Sequence, residues 1–167
     1  MSAVLSTDCV TDQGESMVQE KVQLLLVRMP VRRGVPAIAL VQPVNGKMGQ
    51  WGLPQGDINR LGLSASTYAL ALRECGVPSL TFGRALFDYD SISVSGLKKH
   101  IHAVVCRTLY TGPLTPTCET IAQAQWVSGG LEAILGVMAL ASDSKRRKMI
   151  EAWEMLHTGD WTPQVLT

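Results

Sequence analysis

The residues in this chain whose types and spacing can do chemistry fall into three groups. The first is the loop Trp51-Gly52-Leu53-Pro54-Gln55-Gly56-Asp57, which leads through the turn Arg60-Leu61-Gly62 into a run without Gly or Pro from Leu63 to Cys75. A serine near the start of that run and Gly76 just past its end bracket a helix over Ser64 to Cys75. A glycine-bearing loop entering a helix turns free backbone N–H groups toward one point, which suits an anion such as a phosphate. Many such junctions bind nothing, so the loop alone names no ligand. The second group lies on the stretch Leu97 to Tyr110, where Ile101, Ala103 and Val105 alternate on one side and leave Lys98, His100 and His102 on the other. A His-x-His pair on a strand can ligate a metal. Two ligands lack a third, so a polar strand face toward substrate or solvent is the reading taken, with Lys98 and Lys99 able to add phosphate contacts at the same mouth. The third group is basic: Arg28, Arg32, Arg33 and Lys47 ahead of the loop, and Lys145-Arg146-Arg147-Lys148 near the chain's end. Four consecutive cations spread around a helix, and near its start they oppose the macrodipole, which hints at an anion or a partner, although a basic, solvated surface turn is the reading taken.

The elements that must position these groups are legible from pattern. Val22 to Met29 and Pro36 to Val41 are short, apolar and rich in branched residues, as buried strands are. Arg32-Arg33-Gly34 turns between them, and Asn45-Gly46 is a turn dipeptide leading to the loop. Leu80 to Tyr89 reads as a strand broken near Gly83, and Ile121 to Val127 as another. Leu131 to Leu140 repeats Leu131, Ile134, Leu135 and Met138 at helical spacing. Asp143 to His157 is a second helix, capped by Asp143 or Ser144, with Met149, Ile150, Trp153 and Leu156 as its apolar stripe. A chain of 167 residues suits one domain, expected over 21–158, with a flexible arm or added strand over 1–20 and a tail over 159–167 carrying Trp161.

Composition excludes several classes. With 46% apolar and 17% charged residues the chain is globular rather than disordered. A formal net charge of +1 argues against a strongly electrostatic nucleic-acid binder, while leaving room for a local basic patch. Cys9, Cys75, Cys106 and Cys118 show no CxxC spacing and read as free thiols, with Cys106 packed in the core. The first twenty residues hold no apolar stretch of the kind that targets secretion, and nothing approaches a membrane span, so a cytoplasmic location and no membrane partner are expected.

The stretch from Gly49 to Val77 resembles the Nudix box, the loop–helix–loop of the Nudix hydrolases. Trp51-x-x-Pro54-Gln55-Gly56-x-Ile58-Asn59 looks most like the branch acting on dinucleoside polyphosphates and RNA 5′ ends, and Glu74-Cys75-Gly76-Val77 matches the end of the box. The flanks are similar too, so the resemblance runs over roughly Val22 to Leu140. It implies an α/β/α sandwich with a mixed β-sheet, a nucleotide or diphosphate-containing small molecule as ligand (an RNA end and a homodimer being open), and Mg2+ or Mn2+ if the chain is catalytic. The family's box glutamates fall at Leu70, Arg73 and Glu74, spaced i, i+3, i+4 on one face. Only Glu74 is an acid; the family's arginine position holds Ala69, and the Gly-Glu turn reads Gly62-Leu63. A carboxylate about 5 Å from a divalent ion contributes roughly 6–7 kcal/mol at an effective dielectric near 20, and Arg73 reverses that sign. The expectation is therefore a Nudix-like protein that binds a nucleotide derivative with hydrolysis weak or absent. An active metal-dependent pyrophosphohydrolase and a protein-interaction domain are the alternatives.

Under the resemblance the candidate catalytic residues are Glu74, also the one candidate metal ligand, and Glu119, since an acid ahead of that last strand completes the metal shell or acts as base in several members. An exposed loop carboxylate is the plainer reading of Glu119. The candidate ligand-binding residues are Trp51, Gln55, Gly56, Asp57, Arg73, Lys98, His100 and His102. Trp51 either caps the core, the commoner fate of a large aromatic, or stacks on a base. Asp57 either replaces a lost ligand or bonds to turn amides.

Overall fold

The computed structural model describes residues 18–28, 36–45, 49–93 and 95–158. The arm before residue 18, the Arg32-Arg33-Gly34 turn, Lys47, and the tail with Trp161 lie outside them. Six strands make one mixed sheet: β1 (Val18–Arg28), β2 (Ala37–Pro43), β3 (Gln55–Asp57), β4 (Thr81–Ile92), β5 (Lys98–Thr108) and β6 (Ile121–Val127). Their order is β4-β5-β1-β2-β6, with β3 paired to β1. The β1–β5 pair is parallel over its full length, from Val18 against Lys98 to Arg28 against Thr108. Val18, Gln19 and Glu20, expected in an arm, are thus the first residues of β1, held by a ladder to a strand eighty residues away.

The alternation that marks β1 divides the core. Val22, Leu24 and Leu26 face one way, into a cluster with Val104, Cys106 and the residues Leu70, Ala71 and Cys75. Leu25 and Val27 face the other, into a cluster with Ile38, Val105, Ile134, Met149 and Leu156. The helix α1 (Leu63–Leu70) covers the first face; α2 (Gly130–Val137) and α3 (Asp143–Thr158) cover the second. The result is an α/β/α sandwich with a mixed sheet, as expected. No helix among the described residues is long and apolar enough to cross a membrane.

Local details depart from the sequence reading. The helix expected as one piece changes to π-type hydrogen bonding over Ala71–Cys75. Its N-cap is Gly62 and no side chain caps it; the hydroxyl of Ser66 instead accepts the Asn59 N–H at 2.9 Å, tying the preceding turn to the helix. On α3 the cap is neither Asp143 nor Ser144: the Ser142 hydroxyl accepts the Lys145 N–H at 3.3 Å. The expected break in β4 is real, with register shifts on either side of Arg84 and Ala85. Cys106 is buried as expected, and burial pushes its thiol up to about 12.

Gly76 ends the π turn in the left-handed region at φ 70°, with its N–H on the Leu72 carbonyl at 2.9 Å and that of Val77 on Ala71 at 3.3 Å. A Cβ there would also meet the Thr115 backbone carbonyl. Gly76→Ala is therefore expected to lower the unfolding free energy by about 2–3 kcal/mol in urea titrations, combining left-handed strain with displacement of the 115–117 strap.

Candidate functional site

The site arises where two neighbouring strands part. Among the described residues β1 and β2 pair through Val27–Ile38 and Arg28–Ala37 alone. Beyond that point the loop expected to hold a phosphate enters the gap as a structural filler. Leu24 N–H donates to the Pro54 carbonyl at 2.9 Å, Gln23 and Val22 pair with Gln55 and Gly56, and Gly52 exchanges two hydrogen bonds with Val41 at 2.9 and 3.0 Å. Unpaired edges are costly, and residues 52–57 satisfy them by bonding to both strands.

The wedge opens a cavity of about 450 Å³. Gln23, Trp51, Gln55 and Glu74 line its floor, Tyr89 and Lys99 one wall, and Lys145 and Lys148 of α3 another. Among the described residues lining it, Glu74 is the one carboxylate, and it faces three lysines. Lys145 and Lys148 are three apart and share a helix face, while Arg147 turns aside to the Asp143 carbonyl at 3.5 Å. Lys148 sits over the Tyr89 ring, 4.5 Å from its centroid, with Glu151 at 3.9 Å. The Tyr89 hydroxyl donates to the Gln23 side-chain oxygen at 2.9 Å, and burial raises its pKa.

Glu74 is only 6% exposed. Burial pushes its carboxyl up to about 7, against the smaller opposing effects of the Arg73 guanidinium and the Gln55 backbone N–H. A carboxyl that ionises near neutrality can give or take a proton there. Leu70, one turn earlier on the same face, is fully buried in the core. Arg73 lies to the side, exposed and outside the cavity lining. A Cβ added to Gly56 would stand 2.8 Å from the Arg73 guanidinium and 2.9 Å from a Leu70 methyl. A larger residue at that position would have to displace those two side-chain ends, where the helix packs over β3.

This donor set does not fit Mg2+ or Mn2+. Such ions take several oxygen ligands, chiefly carboxylates and phosphates. Here one partly protonated carboxyl stands among a leucine methyl, a guanidinium and three ammonium groups. Ammonium groups repel a divalent cation and attract an anion.

The structure brings Trp51, Gln55 and Glu74 to the cavity and places Gly56 and Arg73 just behind it. Trp51 satisfies both of its readings, since it lines the cavity and packs on the second core cluster. Asp57 lies elsewhere, bound to Lys21 at 2.6 Å at the end of β3. Glu119 is exposed and outside the lining, although its neighbours Thr120 and Ile121 belong to it. Lys98 is exposed on the sheet face opposite Lys99 and Ile101, and His100 and His102 occupy that same far face. Lys99, read as able to add a phosphate contact, is in the lining, whereas Lys145, Lys148, Gln23 and Tyr89 were not among the expected ligand-binding residues. A signal for Lys99 existed in its period-two relation to Ile101, and for the lysine pair in its i, i+3 spacing.

No family model matches the sequence, and no curated protein matches it. Solved structures do. The NUDIX domain of Shewanella oneidensis NrtR, in complex with ADP-ribose, superposes with a TM-score of 0.67 at 15% identity, covering 89% of this chain and 94% of that one. RenU, a Nudix hydrolase from M. smegmatis, gives 0.67 at 17% identity over 87% and 90% of the two chains. A C. elegans Ap4A hydrolase binary complex gives 0.64 at 12% identity over 83% and 98%. The chain has the fold of the Nudix hydrolases.

Glu74 supplies a test by pH. Because its folded pKa is raised, the unfolded chain ionises first: the penalty is absent below about 4.5, grows up to about 7 and stays level above that. Glu74→Gln is expected to exceed the wild type in stability by ~2 kcal/mol at pH 8, after discounting for the carboxyl's opening to the cavity. The gap should close toward pH 4, read by urea denaturation at each pH.

Proposed function

We propose that this protein binds a nucleotide or nucleoside-diphosphate derivative in the wedge cavity, with hydrolysis weak or absent. The observation that carries this reading is the charge of the lining, three lysines against one carboxyl that ionises near 7. Ammonium groups on Lys99, Lys145 and Lys148 donate to diphosphate oxygens, each charge-assisted contact being worth about 1.5–3 kcal/mol. Trp51 offers a ring face to a base at the same cavity. Glu74 in its neutral form donates an O–H hydrogen bond to a phosphate oxygen instead of repelling it. The fold's likeness to a domain solved with ADP-ribose supports the same ligand class.

A second reading has one observation in its favour. A carboxyl poised near 7 is matched to general-base work, so Glu74 can draw a proton from a water attacking the bound diphosphate while the lysines offset charge on the phosphate oxygens. Mass-spectrometric detection of turnover that Glu74→Gln abolishes would establish that reading over simple binding.

Binding itself is tested by titrating ADP-ribose and ADP while following tryptophan fluorescence. The double variant Lys145→Ala/Lys148→Ala is expected to weaken binding at least tenfold, and added salt to weaken the wild type more than the variant. Equal affinity in both proteins would remove the lysines from the site.

A further inference from the structure

On the α1 face of the sheet, opposite Lys99 and Ile101, three adjacent strands present a second cluster that does not line the cavity. Register alone assembles it. In the parallel β1–β5 ladder Glu20 stands beside His100, and in the antiparallel β4–β5 ladder Asp90 stands opposite His100 and Asp88 opposite His102. Period-two alternation turns all five side chains to one side. The two imidazole rings meet edge to face with centroids 4.7 Å apart.

We propose that Glu20, His100 and His102 form a binding site for a divalent transition cation of the zinc class. One ligand atom from each of the three lies within 4.8 Å of the other two. Tetrahedral coordination with bonds of about 2.0 Å sets ligand atoms about 3.3 Å apart, so modest side-chain rotation closes the set. Nε2 of His102 is already 2.8 Å from the Glu20 carboxylate. The outer contacts are those that metal-bound histidines use: Nδ1 of His100 meets Asp90 at 2.7 Å, and Nδ1 of His102 meets Asp88 at 3.1 Å. A carboxylate on Nδ1 fixes each ring; Nε2 of His100 stands 3.4 Å from Asp88 and that of His102 2.8 Å from Glu20, so a cation would take the place of the proton held at Nε2. Two imidazoles with one carboxylate favour zinc-like ions over Mg2+ or Ca2+, which prefer all-oxygen shells. The three carboxylates also give the cluster a negative charge that a divalent cation offsets.

The ligand set leaves coordination positions open. Beside it Glu20 and His102 border a shallow hollow with Asn59, Arg60 and Leu63, where water or an anionic group can complete the shell. The site is separate from the wedge cavity in location and in chemistry, and it does not rest on the nucleotide reading.

Calorimetric titration of Zn2+ into metal-free full-length protein tests the proposal, with Co2+ absorption reporting coordination. One ion per chain is expected, with affinity falling at least 100-fold in His100→Ala/His102→Ala and unchanged in Glu74→Gln. Asp88→Asn and Asp90→Asn should weaken binding about 10–100-fold while keeping the one-to-one stoichiometry. In the unmutated protein, Zn2+ should shift the imidazole 15N signals of both histidines, which keeps the test independent of variant folding. The proposal is overturned by an absence of binding, by binding that survives the double histidine variant, by unshifted histidine signals, or by binding lost when the thiols are alkylated.

Discussion

The parting of β1 and β2 beyond the Val27–Ile38 pair is the constraint on which the rest of the molecule depends. A sheet that splits must satisfy the exposed backbone groups or bury them at a cost of about 1–3 kcal/mol each. Residues 52–57 resolve this by bonding to Val41 on one side and to Gln23 and Leu24 on the other. The consequence is functional. The filled wedge carries Gln55 to a point where its backbone N–H meets Glu74, so a helix on one face of the sheet contributes to a cavity whose lysines come from the other.

Charge then decides what that cavity accepts. Leu70 is absorbed into the core, Arg73 spans the back of Gly56, and the face that the resemblance associates with glutamates holds one acid. Against it stand ammonium groups from β5 and α3. Burial adds to the same trend, since desolvation holds Glu74 neutral until about pH 7. The neighbouring Cys75 thiol, also buried, is pushed up to about 12 and stays protonated. The resemblance implies a cation site in the box, whereas the cavity lining here holds three lysines and one carboxyl.

Local pattern made much of this legible. Alternation along β5 put His100 and His102 on one face, Gly76 marked the helix end, and the apolar runs located β1, β2 and β6 within a few residues. What stayed hidden depends on pairing between distant segments. Nothing in the local sequence around Glu20 tells that it runs parallel to β5 beside His100, so the third member of the histidine cluster was not visible. For the same reason Lys145 and Lys148 read as a basic surface run, because their relation to Glu74 exists only once α3 is packed over the sheet. The α3 cap falls on Ser142 rather than on Asp143 or Ser144, and α1 has no side-chain cap, since neighbouring serines and aspartates compete for that role and the tertiary path of the chain selects among them.

Calorimetric titration of inorganic pyrophosphate in buffer containing EDTA tests the central claim most directly, because it separates an anion site built by the chain from one built by a bound cation. The lysine-lined wedge predicts one pyrophosphate bound per chain with no divalent metal present. Binding that appears only after Mg2+ or Mn2+ is supplied would contradict it.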